Sequence, residues 1–352
     1  MKKTLIYLLL LAVIAGATWF LVLRNDGGST LKKGETNFTI KDTADIGKVF
    51  MVDMNGREVL LERKGDHWMV NNKYVARFGA IDLLLTTLKT QEAQYVVPVG
   101  SRANVLQQLS VSGVKVEVYN LKNKKLTSFY VGGSTQDYMG TYMLVEGYKI
   151  PYVVQILGFN GYLTPRFFTS ENEWRSRLLF DYTADNIKKI EIDYPGTPDN
   201  SFVLENGAHP QVTGVIQMSI PVNEARVKSY LTLFDGIPAE GFENEFAYKD
   251  SILQKGVKYC TLAIEGKNDP KPFVMDIYYR PIDKRSKNVG SGEDTPWDGD
   301  RYFGMVHNTG DFVNIQKLTF SRILRSFGEF YVSDAKPSAD TADARKALMQ
   351  HK

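Results

Sequence analysis

Hydrophobic and polar positions follow the same order twice along the chain. Thr43-Ala44-Asp45 recurs as Thr183-Ala184-Asp185, and two segments with strand-like alternation follow each copy. The first pair of segments is joined across Met54-Asn55-Gly56, which is typical of a tight β-turn. These strand segments are 48–53 and 58–62 in the first copy and 189–193 and 201–205 in the second.

A helix pattern follows the strands in both copies. Four apolar positions with spacing i, i+3, i+4, i+7 would share one helix face. They are Ile81, Leu84, Leu85 and Leu88 in the first copy and Tyr230, Leu233, Phe234 and Ile237 in the second. Looser matches pair 105–107 with 252–254, 141–143 with 301–303 and 152–156 with 311–315. The shared order predicts a duplicated domain, because solenoid repeats have a far shorter period.

The fold class predicted from this pattern is α+β, with strands more numerous than helices. It consists of two tandem, structurally similar β-rich units after one N-terminal transmembrane helix. The predicted boundaries are 1–24 for a signal anchor or transmembrane helix, 25–35 for a linker, 36–180 for the first unit, 181–333 for the second unit and 334–352 for a flexible C-terminal tail.

One apolar segment stands apart at the N-terminus. It begins at Leu5, ends at Leu23 and contains 19 residues without a charge. As a helix it would span about 28 Å, close to the roughly 30 Å hydrocarbon core of a bilayer. Small residues at Ala15-Gly16-Ala17 would fit a cleavage site, but the apolar run continues past them. An uncleaved signal anchor is therefore favoured, and cleavage stays open.

Basic residues give a weak signal for orientation, because their numbers nearly balance on the two sides of the segment. The short head Met1-Lys2-Lys3 favours a cytoplasmic N-terminus. We therefore expect a single-pass inner-membrane protein whose C-terminal domain is periplasmic.

Charge and cysteine content narrow the function classes. The 352 residues include 43 Lys and Arg against 40 Asp and Glu, a formal net charge of +3. Lys2, Lys3 and Arg24 flank the apolar segment, so residues 25–352 have a net charge of 0. Nucleic-acid binding driven by overall charge is not expected. Cys260 is the single cysteine, so no intramolecular disulfide is possible, and its strand-like surroundings predict a buried thiol.

Four stretches of the chain resemble a known family. They are Val59-Leu60-Leu61-Glu62-Arg63 leading to His67-Trp68-Met69-Val70, Ala76-Arg77 at the start of a helix, Tyr130-Val131-Gly132-Gly133 before Thr141-Tyr142-Met143-Leu144, and Glu173-Trp174-Arg175-Ser176-Arg177 before Leu179-Phe180. In this order they resemble the DUF4340 family. The resemblance implies a membrane-anchored bacterial envelope protein, of a kind frequent in Bacteroidetes-like organisms and in some cases a companion of transporter-like assemblies. It implies no catalytic residues.

Motifs that would carry chemistry are missing from the sequence. The four histidines lack zinc-ligand spacing, and no nucleophile elbow, P-loop or dinucleotide fingerprint occurs. No catalytic, cofactor-binding or metal-binding residue is predicted, and no cofactor is expected. The acidic loop 293–300 departs from an EF-hand pattern, so a solvated hairpin insertion is favoured over a calcium site. The longer insertion that contains it, 281–300, is a reasonable place for a partner contact.

The candidate site residues are Trp174, Arg175 and Arg177, at the junction of the two units. In an extended segment the two arginines would point the same way. One interpretation is a clamp for an anion or a carboxylate, which guanidinium groups bind in a bidentate manner. The favoured one is a structural clasp between the repeats, with Trp174 buried and the arginines paired to acids of the neighbouring unit.

The function predicted from these features is that of a non-enzymatic, membrane-anchored periplasmic protein. It would be a scaffold or accessory subunit of an envelope or transport-associated complex, with other envelope proteins as partners. An alternative is a ligand-capture module that binds a glycan, a peptide or a small anion in the cleft between the two repeats. A hydrolase with a site assembled from distant residues is a second alternative.

Overall fold

A computed structural model describes residues 34–218, 220–283, 286 and 296–331. The predicted signal anchor, nearly all of the predicted linker and the predicted tail lie outside these residues. Within them, no helix combines the length and the apolar character needed to cross a membrane. The chain divides into two compact units between Ser176 and Arg177.

The first unit is a nine-stranded antiparallel sheet with helices. Its strands are β1 (Ile46–Asp53), β2 (Glu58–Lys64), β3 (His67–Val70), β4 (Tyr74–Val75), β5 (Gln91–Val96), β6 (Val114–Asn120), β7 (Lys125–Ser134), β8 (Thr141–Val145) and β9 (Tyr152–Ile156). The helices are α1 (Phe78–Thr90), α2 (Val99–Ser112), α3 (Glu171–Trp174) and a 3₁₀ turn at Thr164–Arg166. The order across the sheet is β4-β3-β2-β1-β6-β7-β8-β9-β5.

The second unit contains an eight-stranded antiparallel sheet and a two-stranded ribbon. Its strands are β10 (Leu178–Phe180), β11 (Ile187–Asp193), β12 (Phe202–Glu205), β13 (Gln211–Gly214), β14 (Ile237–Pro238), β15 (Gly241–Phe242), β16 (Lys258–Gly266), β17 (Phe273–Pro281), β18 (Trp297–Val306) and β19 (Asp311–Gln316). Its helices are α4 (Glu224–Leu231), α5 (Lys249–Lys255), α6 (Lys317–Phe320) and 3₁₀ turns at Pro198–Asn200, Thr232–Phe234 and Phe327–Tyr331. The large sheet has the order β13-β12-β11-β16-β17-β18-β19-β15, and β10 pairs with β14.

The two large sheets share one strand order. Without β4, the first sheet reads β3-β2-β1-β6-β7-β8-β9-β5, and each strand has its counterpart at the same place in the second. An irregularity of register also recurs, between Ile46 and Lys48 where β1 pairs with β6 and between Ile187 and Lys189 where β11 pairs with β16. The β-rich α+β class is confirmed, and the common topology supports the duplication.

Helices cover both faces of the sheet in the first unit. Ile81 and Leu84 of α1 are buried in the main core. On the opposite face, Val105 and Leu109 of α2 form a smaller core with Val153 of β9. Burying both faces explains why β9 begins with three consecutive buried residues and does not alternate.

The second unit has the same layers. Tyr230 of α4 lies in the main core, and Ile252 of α5 packs with Phe303 on the other face. The predicted helix face is wrong at its last position, because α4 ends at Leu231 and Ile237 lies in β14, where it pairs with Phe180. Gly236 has a φ of 63°, a left-handed conformation that turns the chain out of the helical path.

Cys260 is fully buried in the main core of the second unit, as predicted. Burial raises the pKa of its thiol well above the ordinary value, chiefly because the core excludes water. The thiol therefore stays protonated and acts as a small apolar side chain.

Candidate functional site

Trp174 is fully buried in the first unit. Its ring stacks on Phe168 with a centroid separation of 4.1 Å, and its indole Nε1 donates to the carbonyl oxygen of Phe168 at 2.9 Å. These contacts connect the end of α3 to the preceding loop and give Trp174 a structural role.

Arg175 and Arg177 take different partners, each from its own unit. The guanidinium carbon of Arg175 lies 3.5 Å from the ring centroid of Tyr74, and its Nη1 donates to Asn172 Oδ1 at 3.3 Å. Nη1 of Arg177 donates to the carbonyl oxygen of Glu240 at 2.7 Å. Arg177 therefore lies beside the polar residues of the second unit that are described next.

Six polar residues of the second unit form what we call the Arg280 cluster. They are Glu240, Arg280, Asp283, Asp298, Arg301 and Asn314. The alternation of β17 explains the position of Arg280. Met275 and Ile277 face the main core, so Tyr278 and Arg280 face the side that α5 covers.

Arg280 is 2% exposed. Its Nη1 donates to Asn314 Oδ1 at 3.0 Å and its Nη2 donates to Asp283 Oδ2 at 2.8 Å. Nε lies 3.7 Å from Asp298 Oδ2, which is an ion-pair distance but not a hydrogen bond. Among the described residues, Nε has no hydrogen-bond acceptor. A buried arginine with an unsatisfied donor is uncommon and requires an explanation.

Arg301 and Glu240 form a bidentate ion pair. Nε and Nη2 of Arg301 donate to the two carboxylate oxygens of Glu240 at 2.7 Å and 2.8 Å. The hydrogen bond from the guanidinium to this carboxylate raises the pKa of Arg301. Nδ2 of Asn314 donates to the same carboxylate at 3.3 Å, so Asn314 connects Glu240 to Arg280.

Asp298 is an exception to the predicted solvated loop, in which Pro296, Gly299 and Asp300 are exposed. It is 1% exposed and accepts hydrogen bonds from Ser286 Oγ at 2.7 Å and from the backbone N–H groups of Asp300 at 2.8 Å and Arg301 at 3.0 Å. Burial raises the pKa of Asp298, but these bonds together with Arg280 outweigh burial and lower it. The carboxylate is buried because its own hairpin supplies the donors. Residues 293–295 of the predicted loop lie outside the described residues.

A polar cavity of about 250 Å³ lies against this cluster. It is lined by Glu240, Gly241, Glu243, Arg280, Arg301 and Asn314. The lining includes two guanidinium groups and two carboxylates, so its formal charges balance. Such a cavity offers planar hydrogen-bonding groups of both kinds, donors and acceptors.

The first unit differs from the second in the hairpin between β7 and β8, which corresponds to the hairpin between β17 and β18. The turn between β7 and β8 holds Tyr138 at a φ of 59°, with the side chain 64% exposed. Asp137 Oδ1 accepts from the Met139 N–H at 3.1 Å, and Thr135 Oγ1 accepts from the Gly140 N–H at 2.9 Å. The hydrogen bond from the Thr135 hydroxyl to Asp137 lowers the pKa of that carboxyl. These bonds stabilise the turn in a conformation that bulky residues avoid.

Adjacent aromatic side chains enlarge the exposed surface around this turn. The ring of Tyr138 lies 6.1 Å from that of Tyr162, and Met139 is 38% exposed. We call Tyr138, Met139 and Tyr162 the Tyr138 surface.

His307 makes one ion-pair contact. Its Nε2 lies 3.0 Å from Asp276 Oδ2, and Asp276 also accepts from Thr261 Oγ1 at 2.6 Å and pairs with Lys258 Nζ at 2.9 Å. Across the part of the chain that the structure describes, no group of three or more His, Cys, Asp or Glu side chains is arranged to hold a metal ion.

Sequence reasoning missed both the Arg280 cluster and the Tyr138 surface. A usable signal existed for Arg280, since a charged residue continues an alternating row with Tyr278 in a strand that is otherwise largely apolar. No comparable signal marked Tyr138, because a left-handed φ at tyrosine does not follow from residue type.

The fold and these features define a duplicated, β-rich α+β protein with a buried polar cluster in its second unit. The chain belongs to the family described as a domain of unknown function, DUF4340, which matches residues 68–255 and thus more than half of its length. The resemblance found in the sequence is therefore confirmed. No curated protein and no solved structure matches the chain.

Proposed function

We propose that this protein is a non-enzymatic scaffold or accessory subunit of an envelope complex, anchored in the inner membrane, and that it binds another envelope protein through the Tyr138 surface. The observation that carries the proposal is Tyr138 itself. It is an exposed aromatic residue held at a φ of 59° by a hydrogen-bonded turn.

The conformation of Tyr138 supports a role in binding. A bulky residue in the left-handed region costs of order 1–3 kcal/mol, and such residues cluster at functional sites. The fixed turn presents the ring without the entropy loss of ordering a loop on binding. Tyrosine and methionine are both enriched at protein interfaces, and tyrosine is frequent among the residues that dominate binding energy.

Membrane anchoring rests on the apolar segment from Leu5 to Leu23, whose length suits a bilayer. Periplasmic orientation rests on the short basic head before it. A reporter fused after Lys352 tests the orientation. We expect alkaline phosphatase activity in intact cells, and activity only from a cytoplasmic reporter would overturn this part of the proposal.

Crosslinking in intact cells tests the binding surface. A photoreactive residue at position 138 should give a discrete crosslinked species that contains a second protein. Tyr138→Asn removes the ring and keeps a residue that tolerates positive φ, so it should abolish co-purification of that protein from detergent-solubilised membranes.

Leu121→Asn is the matched control. Leu121 is 60% exposed and lies in the turn that precedes β7, at the opposite end of that strand from Tyr138. The control should retain the partner. Equal loss in both variants, or full retention in Tyr138→Asn, would contradict the assignment of the surface.

A further inference from the structure

The geometry of the second unit points to a ligand site: we propose that the Arg280 cluster and its cavity bind a small, uncharged, oxygen-rich molecule, of the size of one sugar ring or a comparable polyol. The cavity volume is about 250 Å³. At roughly 30 Å³ for each water molecule, this equals the space of about eight waters. It lies below the roughly 300–1,000 Å³ typical of sites for drug-sized ligands.

Unsatisfied donors give the first argument. A guanidinium group has five N–H donors. Arg280 uses Nη1 and Nη2 for one described acceptor each, and its buried Nε has no hydrogen-bond acceptor among the described residues. Nη1 of Arg301 likewise makes no hydrogen bond to a described residue, since the pair with Glu240 uses Nε and Nη2. Arg301 lines the cavity with its side chain 25% exposed, so its Nη1 can donate to an oxygen atom of a ligand, whereas Nε of Arg280 is itself inaccessible.

The balance of charges gives the second argument and selects the class of ligand. The charged residues that line the cavity are two arginines, Arg280 and Arg301, and two glutamates, Glu240 and Glu243, so the formal charges of the lining balance. With no net charge there is little field to attract an ion. A carboxylate ligand would also approach Glu240 and Glu243, which line the same cavity.

Hydroxyl groups match this environment, because each one donates and accepts. Neighbouring hydroxyls of a sugar could accept from a guanidinium group while donating to a carboxylate. The lining places Arg301, Glu240 and Asn314 around one small volume, so a single ring could contact all three. The site lies entirely within the second unit.

Saturation-transfer difference NMR on the full-length protein in lipid nanodiscs tests this proposal, with glucose, N-acetylglucosamine and acetate as separate probes. We expect transfer to one or both sugars and none to acetate. Arg301→Gln and Asn314→Ala should each weaken sugar binding about tenfold, in keeping with the loss of a hydrogen bond to a charged or buried group. Both variants are milder than replacing the buried Arg280, and a single cooperative thermal unfolding transition, lowered by a few degrees at most, would show that each one folds.

Arg325→Gln is the control. Arg325 is a half-buried arginine of the same unit that pairs with Glu329 at 3.1 Å and lines a different cavity, of about 410 Å³. The Arg325→Gln variant should bind sugar as the unaltered protein does. Absence of transfer to either sugar, transfer to acetate alone, or equal weakening by Arg325→Gln would each overturn the proposal.

Discussion

Arg301 and Glu240 are 61 residues apart in sequence and meet through two parallel hydrogen bonds of 2.7 Å and 2.8 Å. The pairing of Gly241 with Asn314 brings the residue before β15 next to β19, and β18 adds Arg301 from the neighbouring strand. The ion pair therefore joins the edge strand of the sheet to its interior.

We expect this pair to contribute modestly to stability. Its side chains are 25% and 27% exposed, so Glu240→Gln should lower the free energy of unfolding by about 1 kcal/mol. Arg301→Lys should have a similar effect, because an ammonium group cannot bind both carboxylate oxygens in the planar geometry of a guanidinium. Urea unfolding of the full chain measures the change. Arg325→Lys, at a more exposed pair, should shift the transition less.

Glu117 predicts a dependence of stability on pH. Burial raises the pKa of Glu117, but hydrogen bonds from Tyr119, Lys115 and Lys125 outweigh burial and lower it to about 2. A carboxyl group whose folded pKa lies below its unfolded value stabilises the fold above the unfolded pKa, which is about 4.3 for glutamate. This contribution should be lost as the pH falls from about 4 towards 2.

Glu117→Gln should therefore cost about 2 kcal/mol at pH 7 and much less at pH 2. Thermal unfolding at a series of pH values measures the difference. Glu58→Gln replaces an exposed carboxylate in β2 and serves as the control. A constant difference between Glu117→Gln and the unaltered protein at every pH would contradict the assignment.

Two glycines end the corresponding helices of the two units. A Cβ added at Gly113, after α2, would lie 2.3 Å from the carbonyl oxygen of Leu109, and one at Gly256, after α5, would lie 2.4 Å from that of Ile252. Both contacts are with backbone, so an alanine must displace the chain. We expect each alanine variant to lose about 1–3 kcal/mol of stability.

Gly100→Ala is the internal control for these variants. Gly100 lies within α2, and a Cβ there would meet nothing within 4 Å. Alanine should stabilise the helix by up to about 1 kcal/mol, since glycine is the poorer helix former. Calorimetry measures the stability of the three variants. A change in stability of the same sign at Gly100, Gly113 and Gly256 would contradict the close backbone contacts at Gly113 and Gly256.

Tyr138 predicts a particular order of stability among variants of its turn. Because its φ is 59°, Tyr138→Asn should be tolerated and Tyr138→Val should not. We expect the Val variant to be less stable than the Asn variant by about 1–2 kcal/mol. Chemical denaturation compares the two, and equal stability would mean that the turn adopts an ordinary conformation in solution.

Local pattern was enough to predict two strands of each large sheet, β1 and β2 in the first and β11 and β12 in the second. The Thr-Ala-Asp repeat precedes β1 and β11, and the alternation after it lies within these two strands, which occupy the same place in their sheets. Burial of Cys260 was also predictable. A side chain in an alternating strand faces either the core or the other side of the sheet, and a small apolar side chain favours the core. Such features depend on residues a few positions apart.

The site depended on the tertiary structure. Glu240, Arg280 and Asn314 come from three separate segments, Asp298 and Arg301 share β18, and only the register of β15 to β19 brings them together. Arg175 and Arg177 show the converse, since two arginines that are neighbours in sequence take unrelated partners. Local pattern indicates the repeated succession of strand segments along the chain, and the four motif stretches indicate the family. The pairing of distant strands decided which charged groups meet, because their spacing depends on register and burial and not on local periodicity.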